Sequence, residues 1–233
     1  MTAPPRRERL IVALDVPSAG EARALAEKIG DAACFYKIGL ELACSKGYAE
    51  LLEWLVKRGN KVFADLKLYD IPETVRRAVA NLRSSGASFL TVHGHRSLLE
   101  AAAKEKGPLK ILAVTVLTSF DQRDLEEMGA KRSVEELVLA RARGAVETGC
   151  DGVISSGLEA KRIKAEFKDR LLVVTPGIRP VDTQDDQKRT VDVAQAFANG
   201  ADYIVVGRPI RQAADPRAAA LAIQKTIEGS FRA

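Results

Sequence analysis

The sequence predicts a single (β/α)8 barrel of the TIM-barrel class, and three observations predict it. Short runs of Val, Ile, Leu and Ala recur eight times in 233 residues, at 10–16, 35–40, 61–68, 89–93, 111–117, 152–155, 171–175 and 203–206. They lack the alternation of a half-exposed sheet and read as parallel strands buried on both faces. Amphipathic stretches with helical spacing lie between them, at 22–29, 48–57, 72–84, 98–105, 134–148 and 218–227. Several units stop at a glycine (Gly30, Gly59, Gly86, Gly107, Gly149, Gly200), where a left-handed residue after a helix is expected. Eight strand–helix units without an internal linker indicate a closed barrel. An open doubly wound sheet is the competitor, but no early G-x-G-x-x-G supports it. Residues 1–233 therefore read as one catalytic domain, with 1–8 as a flexible N-terminus.

Composition narrows the function classes. At 46% hydrophobic and 29% charged residues, the chain can bury a core and cover it, which excludes whole-chain disorder. No stretch approaches the roughly 18 apolar residues of a membrane span. The first nine residues carry charge but no apolar segment, so no signal peptide is expected. Cys34, Cys44 and Cys150 are too few and scattered for a disulfide framework or zinc site, and the cytoplasm is the expected compartment. Lys and Arg number 36 against 31 Asp and Glu, a formal +5. The excess is spread beside acids on helical faces, with only 5% aromatic residues. It fits a small anionic ligand better than nucleic acid.

Catalytic groups of such a barrel sit where strands end and βα loops begin. The first run ends at Asp15, the second passes Lys37, and the third ends in Asp65, Lys67 and Asp70. The fourth closes on His93, the fifth on Thr118, the sixth on Ser156, the seventh on 176–179, and the eighth on Gly207 and Arg208. Charges ending apolar strands are costly unless paired or used. Strand alternation points Asp65 and Lys67 the same way, and Lys37 and Asp15 can converge on the same mouth. Carboxylates beside a lysine favour its ammonium form, so Lys67 reads as a positioned proton donor. An ion-pair network that merely closes the barrel top is the alternative.

The eighth run leads through Gly207-Arg208-Pro209 into a helix. Glycine admits a ligand to the backbone, helix-start amides favour an anion, and arginine forks onto phosphate oxygens. With Pro176-Gly177-Ile178-Arg179-Pro180 after the seventh run, this predicts a phosphate site. Two long polar connections, 119–132 and 180–190, read as binding loops or lids. His93-x-His95 suggests either a metal pair or packing histidines. Trp54 reads as core or dimer interface, and Cys34 and Cys44 as packing residues.

Asp65-x-Lys67-x-x-Asp70-Ile71-Pro72-x-Thr74 resembles the signature of the orotidine 5′-phosphate decarboxylase family. The likeness covers almost the whole chain, through Leu14-Asp15, Tyr36-Lys37-Ile38-Gly39, Val116-Leu117-Thr118-Ser119, the Pro176–Pro180 stretch, Asp186-Gln187-x-Arg189 and Gly207-Arg208-Pro209. After the fourth run the family often has a His-Ala-x-Gly-Gly-like stretch, whereas this chain reads His93-Gly94-His95-Arg96-Ser97.

The resemblance implies a cofactor-free, metal-free loss of CO2 from C6 of orotidine 5′-monophosphate, giving UMP at the end of pyrimidine nucleotide synthesis. It implies that Lys67 protonates C6, that Asp65 lies beside the departing carboxylate, and that Lys37 and Asp15 hold the array and the ribose. It further implies a homodimer in which Asp70, with Ile71 and Thr74, enters the neighbouring subunit's site. Thr118 would read the pyrimidine edge, Gln187 would bridge base and phosphate, and Arg179, Gly207 and Arg208 would hold the phosphate. The chemistry is hard because departing CO2 leaves an electron pair in the ring plane, outside the π system. A preorganised cation can take the place of a cofactor's electron sink. Two other readings remain: a sugar-phosphate decarboxylase or aldolase using Mg2+ or a Schiff-base lysine, and a non-enzymatic nucleic-acid-binding barrel.

Overall fold

Side chains that alternate between an inner and an outer apolar environment give this sheet its closure. A computed structural model describes residues 3–179 and 189–231. Among them eight parallel strands form a closed barrel in chain order: β1 (Leu10–Ala13), β2 (Phe35–Gly39), β3 (Lys61–Leu68), β4 (Phe89–His93), β5 (Lys110–Val114), β6 (Gly152–Ile154), β7 (Leu172–Thr175) and β8 (Tyr203–Val206). β8 returns to pair with β1, Leu10 opposite Ile204. One set of strand residues, including Leu10, Val12, Ile38, Val173 and Ile204, packs outward against the helices. The other set, including Ile11, Phe35, Phe63, Phe89, Val114, Val174 and Tyr203, fills the lumen. Burial on both faces explains why the runs read as continuous apolar segments.

The expected helices form, and polar caps set where several of them begin. Ala19–Ile29 begins behind Ser18, whose hydroxyl accepts from Glu21 N. Val134–Glu147 begins behind Ser133 in a reciprocal capping box with Glu136, and Pro216–Ser230 begins behind Asp215. Gly86, after Pro72–Leu82, has φ +83°, and a Cβ there would meet Val56 Cγ1 at 2.8 Å.

Several expectations need correction. The connection 119–132 is not plain loop: Gln122–Glu127 is helical, with Asp121 and Asp124 forming a capping box. Within the N-terminal segment, Arg6–Glu8 forms a 3-10 turn. Glu8 pairs with Lys61 at 2.5 Å, and Arg6 donates to Phe231 O at 2.7 Å, which ties the turn to the barrel's lower rim. Periodicity also missed the short helices Leu40–Ala43 and Val193–Ala198, which are too brief for a helical repeat to show, while Ala160–Phe167 is helical and the helix expected after Gly207 is Arg208–Arg211. Of the connection 180–190, only Arg189 and Thr190 are among the described residues. Its base is closed by a bridge between Ile178 and Val191. Trp54 packs partly buried against the outer core, with the Arg58 guanidinium 4.8 Å from its ring.

Candidate active site

Reading each lumen-facing row upward shows how the site is built. On β2 the row runs Phe35, Lys37, Gly39; on β3 it runs Phe63, Asp65, Lys67; on β4 it runs Phe89, Thr91, His93. On β8 it runs Tyr203, Val205, Gly207. The lowest members make an aromatic floor: Phe35–Phe89 centroids are 5.0 Å apart, Phe89–Tyr203 5.2 Å and Phe63–Phe89 6.0 Å. Charged residues occupy the level above. Charges resting on a dry floor interact strongly, because little water screens them from below.

Those charges form one continuous chain. Lys37 Nζ lies 2.8 Å from Asp15 Oδ1 and 3.4 Å from Asp65 Oδ2, and Lys67 Nζ lies 2.9 Å from the same Asp65 Oδ2. Asp65 and Lys37 are buried, at 11% and 10% side-chain exposure, whereas Lys67 and Asp15 retain 36% and 42%. Burial pushes the Asp65 carboxyl up, but Lys37, Lys67 and the Thr91 hydroxyl outweigh it and hold the group below the usual carboxylate range. Burial likewise works against the Lys37 ammonium, and Asp65 and Asp15 overcome it, so its pKa is raised. Gly39 leaves room for this pairing: a Cβ there would sit 3.0 Å from Lys37 Nζ and 3.5 Å from Asp15 Oδ1.

Asp65 and Lys67 do share a face, though not by the regular alternation expected. The β3–β4 register pairs Ala64 with Leu90 and then Leu68 with Val92. Three residues of β3 (Asp65, Leu66, Lys67) thus stand opposite Thr91 alone. Lys67 takes φ +46°, left-handed for a side chain that rarely goes there. Such strain costs on the order of 1–3 kcal/mol and gathers at functional sites.

Opposite the array, Arg179, Gly207 and Arg208 line the same cleft, together with Thr118, Ser119, Pro176, Gly177 and Arg211. Its volume is about 460 Å³, within the range of small-molecule sites. At Gly207 a Cβ would come no closer than 3.5 Å to its neighbours. The missing side chain leaves open space at the cleft wall.

The structure thus brings together Asp15, Lys37, Asp65, Lys67, Thr118, Arg179, Gly207 and Arg208. Asp70, Ile71 and Thr74 stay outside this cleft, exposed on the shoulder that follows β3. Asp70 Oδ1 accepts from Ile71 N at 2.6 Å. Gln187 lies outside the described residues. His95 stacks on Tyr69 and His93 packs tilted against it, with ring centroids 5.1 and 4.9 Å from the Tyr69 ring. Burial and the nearby Arg141 hold both imidazoles below their ordinary pKa. This is the packing geometry of aromatic neighbours.

Sequence reasoning missed Thr91 and Arg211. Thr91 was visible as the one hydroxyl in Phe89-Leu90-Thr91-Val92-His93, at the lumen-facing position of an apolar run. Arg211 sits one turn past Arg208, and its signal was that spacing.

Comparison with known proteins follows the same lines as the geometry. Residues 8–223 match the family described as orotidine 5′-phosphate decarboxylase / HUMPS. A Methylococcus capsulatus protein named orotidine 5′-phosphate decarboxylase is 57% identical over 231 residues, covering 98% of this chain and 96% of its own. A Xanthomonas euvesicatoria protein of the same name is 51% identical over 227 residues, covering 96% and 93%. The crystal structure of orotidine 5′-phosphate decarboxylase from Lactobacillus acidophilus superposes with TM-score 0.83 at 36% identity, covering 94% of this chain and 99% of that one.

Proposed function

The chain belongs to the orotidine 5′-phosphate decarboxylase family, and from that membership we propose that it converts orotidine 5′-monophosphate to UMP and CO2 with Lys67 as the proton donor to C6. The observation that carries this reading is the chain of ion pairs Asp15–Lys37–Asp65–Lys67 at the mouth of an arginine-lined cleft. The substrate phosphate sits against Arg208, Gly207 and Arg179. The ribose meets Asp15 and Lys37, and the pyrimidine edge meets Thr118. This places the C6 carboxylate beside Asp65.

The C6–carboxylate bond breaks, CO2 departs, and its electron pair stays on C6 in the ring plane. Lys67 Nζ is positioned 2.9 Å from Asp65 Oδ2, so the developing charge meets a fixed cation rather than reorganising water. A proton passes from Nζ to C6, and the amine is recharged from solvent, to which Lys67 is open. Charge repulsion from Asp65 adds a push, provided its carboxyl stays ionised, and the two lysines favour that form. Binding energy from the phosphate, remote from C6, is available to build this geometry. The reaction as written needs no cofactor.

Asp70, Ile71 and Thr74 complete the site of a second copy. Exposure of Tyr69 and Ile71, each 66%, supports an interface on that shoulder. Free thiols at Cys34, Cys44 and Cys150 favour a reducing compartment, the cytoplasm. The test is direct: orotidine 5′-monophosphate added to metal-stripped protein should yield UMP and CO2 in equal amounts. No UMP, or turnover that returns only with Mg2+, would contradict the reading.

A further inference from the structure

Thr91 is fully buried in the barrel lumen, and its hydroxyl makes two hydrogen bonds. It accepts from Lys67 N at 2.9 Å and donates to Asp65 Oδ1 at 2.9 Å. A hydroxyl has a single proton to give, so accepting from Lys67 N and donating to Asp65 fixes its orientation. The backbone N–H of Lys67 falls inside the register shift, where the ladder between β3 and β4 offers it no regular partner. Thr91 supplies that partner with a side chain. The same hydroxyl occupies Oδ1 of Asp65 and leaves Oδ2 to face both Lys37 and Lys67.

We propose that Thr91 is a positioning residue for the decarboxylation. One hydroxyl pins the left-handed turn that aims the Lys67 ammonium and locks the Asp65 carboxylate in the plane shared by two lysines. The inference rests on the proposed roles of Lys67 and Asp65. It adds that their placement depends on β4, through a residue that touches no substrate. Without the hydroxyl, the part-buried Lys67 N and the buried Asp65 Oδ1 lose this partner, and β3 can regain ordinary register by turning Lys67 away. A displacement of about 1 Å at a reacting group costs on the order of 100-fold in rate. The charged and titratable groups around Asp65 are Asp15 on the β1 exit, Lys37 on β2, Lys67 on β3 and Tyr48 at the start of the helix Tyr48–Lys57.

The test compares Thr91→Val, which keeps shape, with Thr91→Ser, which keeps the hydroxyl. In Thr91→Val, kcat should fall about 100-fold, while the UMP dissociation constant stays within about twofold of the wild-type value. The acid limb of its kcat profile should move to higher pH, because Asp65 loses a hydrogen bond to its charged form. Thr91→Ser should restore kcat to within about tenfold of wild type. Should Thr91→Val not fold, Thr91→Cys, similar in size but a weak donor, takes its place under the same readings. Wild-type kcat in the hydroxyl-free variant, a loss confined to KM, or no rescue by serine would each overturn the role of Thr91. Absence of turnover by the wild-type protein is a different result, and it strikes the decarboxylase reading instead.

Discussion

Asp65 is a buried carboxylate whose charge depends on its partners. Burial opposes its charge, and two ammonium groups within 3.4 Å restore it. An ion pair of this kind is sensitive to loss of one partner: stripping one side of a buried pair costs about 3–5 kcal/mol. Stability follows the same sign. With its pKa depressed, Asp65 stabilises the fold above the unfolded carboxyl value of 3.8 and loses that contribution as pH falls through its lower folded value. On the far wall, Arg208 is assigned to the phosphate. Arg208→Ala should raise KM for orotidine 5′-monophosphate by about 10- to 100-fold, the worth of one or two charge-assisted hydrogen bonds. Phosphate-free orotidine, read in the same steady-state assay, should be affected by less than about twofold. Equal losses on both substrates would remove Arg208 from phosphate binding.

At the scale of elements, the barrel was legible because each strand is buried on both faces and each helix stops at a residue with its own turn chemistry. The strand-end rule then located Asp15, Lys37, Asp65, Lys67, Gly207 and Arg208 without any coordinates. What stayed illegible were departures from period. The bulge in β3 was invisible, since Asp65 and Lys67 are two apart whether the strand is regular or distorted. Thr91 passed unnoticed because its importance comes from standing opposite three residues of a neighbouring strand, a property of register rather than of sequence. The helix Gln122–Glu127 was read as loop although its capping residues were present, because six residues are too few to display a hydrophobic period. The role given to Gln187 remains an expectation from the resemblance alone.

At the scale of the whole molecule, Asp70, Ile71 and Thr74 are displayed on an exposed shoulder outside the charged mouth. In the proposed two-fold dimer each copy would lend this shoulder to the other. Mixing Lys67→Ala chains with Asp70→Asn chains, each inactive alone, should then recover activity. Random exchange makes half the dimers mixed, each with one intact site, so about a quarter of wild-type activity is expected. No recovery, with exchange verified by mass spectrometry, would argue that each site is built from one chain. The Lys67→Ala variant alone gives the most direct reading of the central claim, in which the positioned Lys67 amine meets the electron pair left on C6. Measured on orotidine 5′-monophosphate, it should lose CO2 release by at least about 10⁴-fold while still binding UMP. CO2 release at the wild-type rate from that variant would contradict the claim outright.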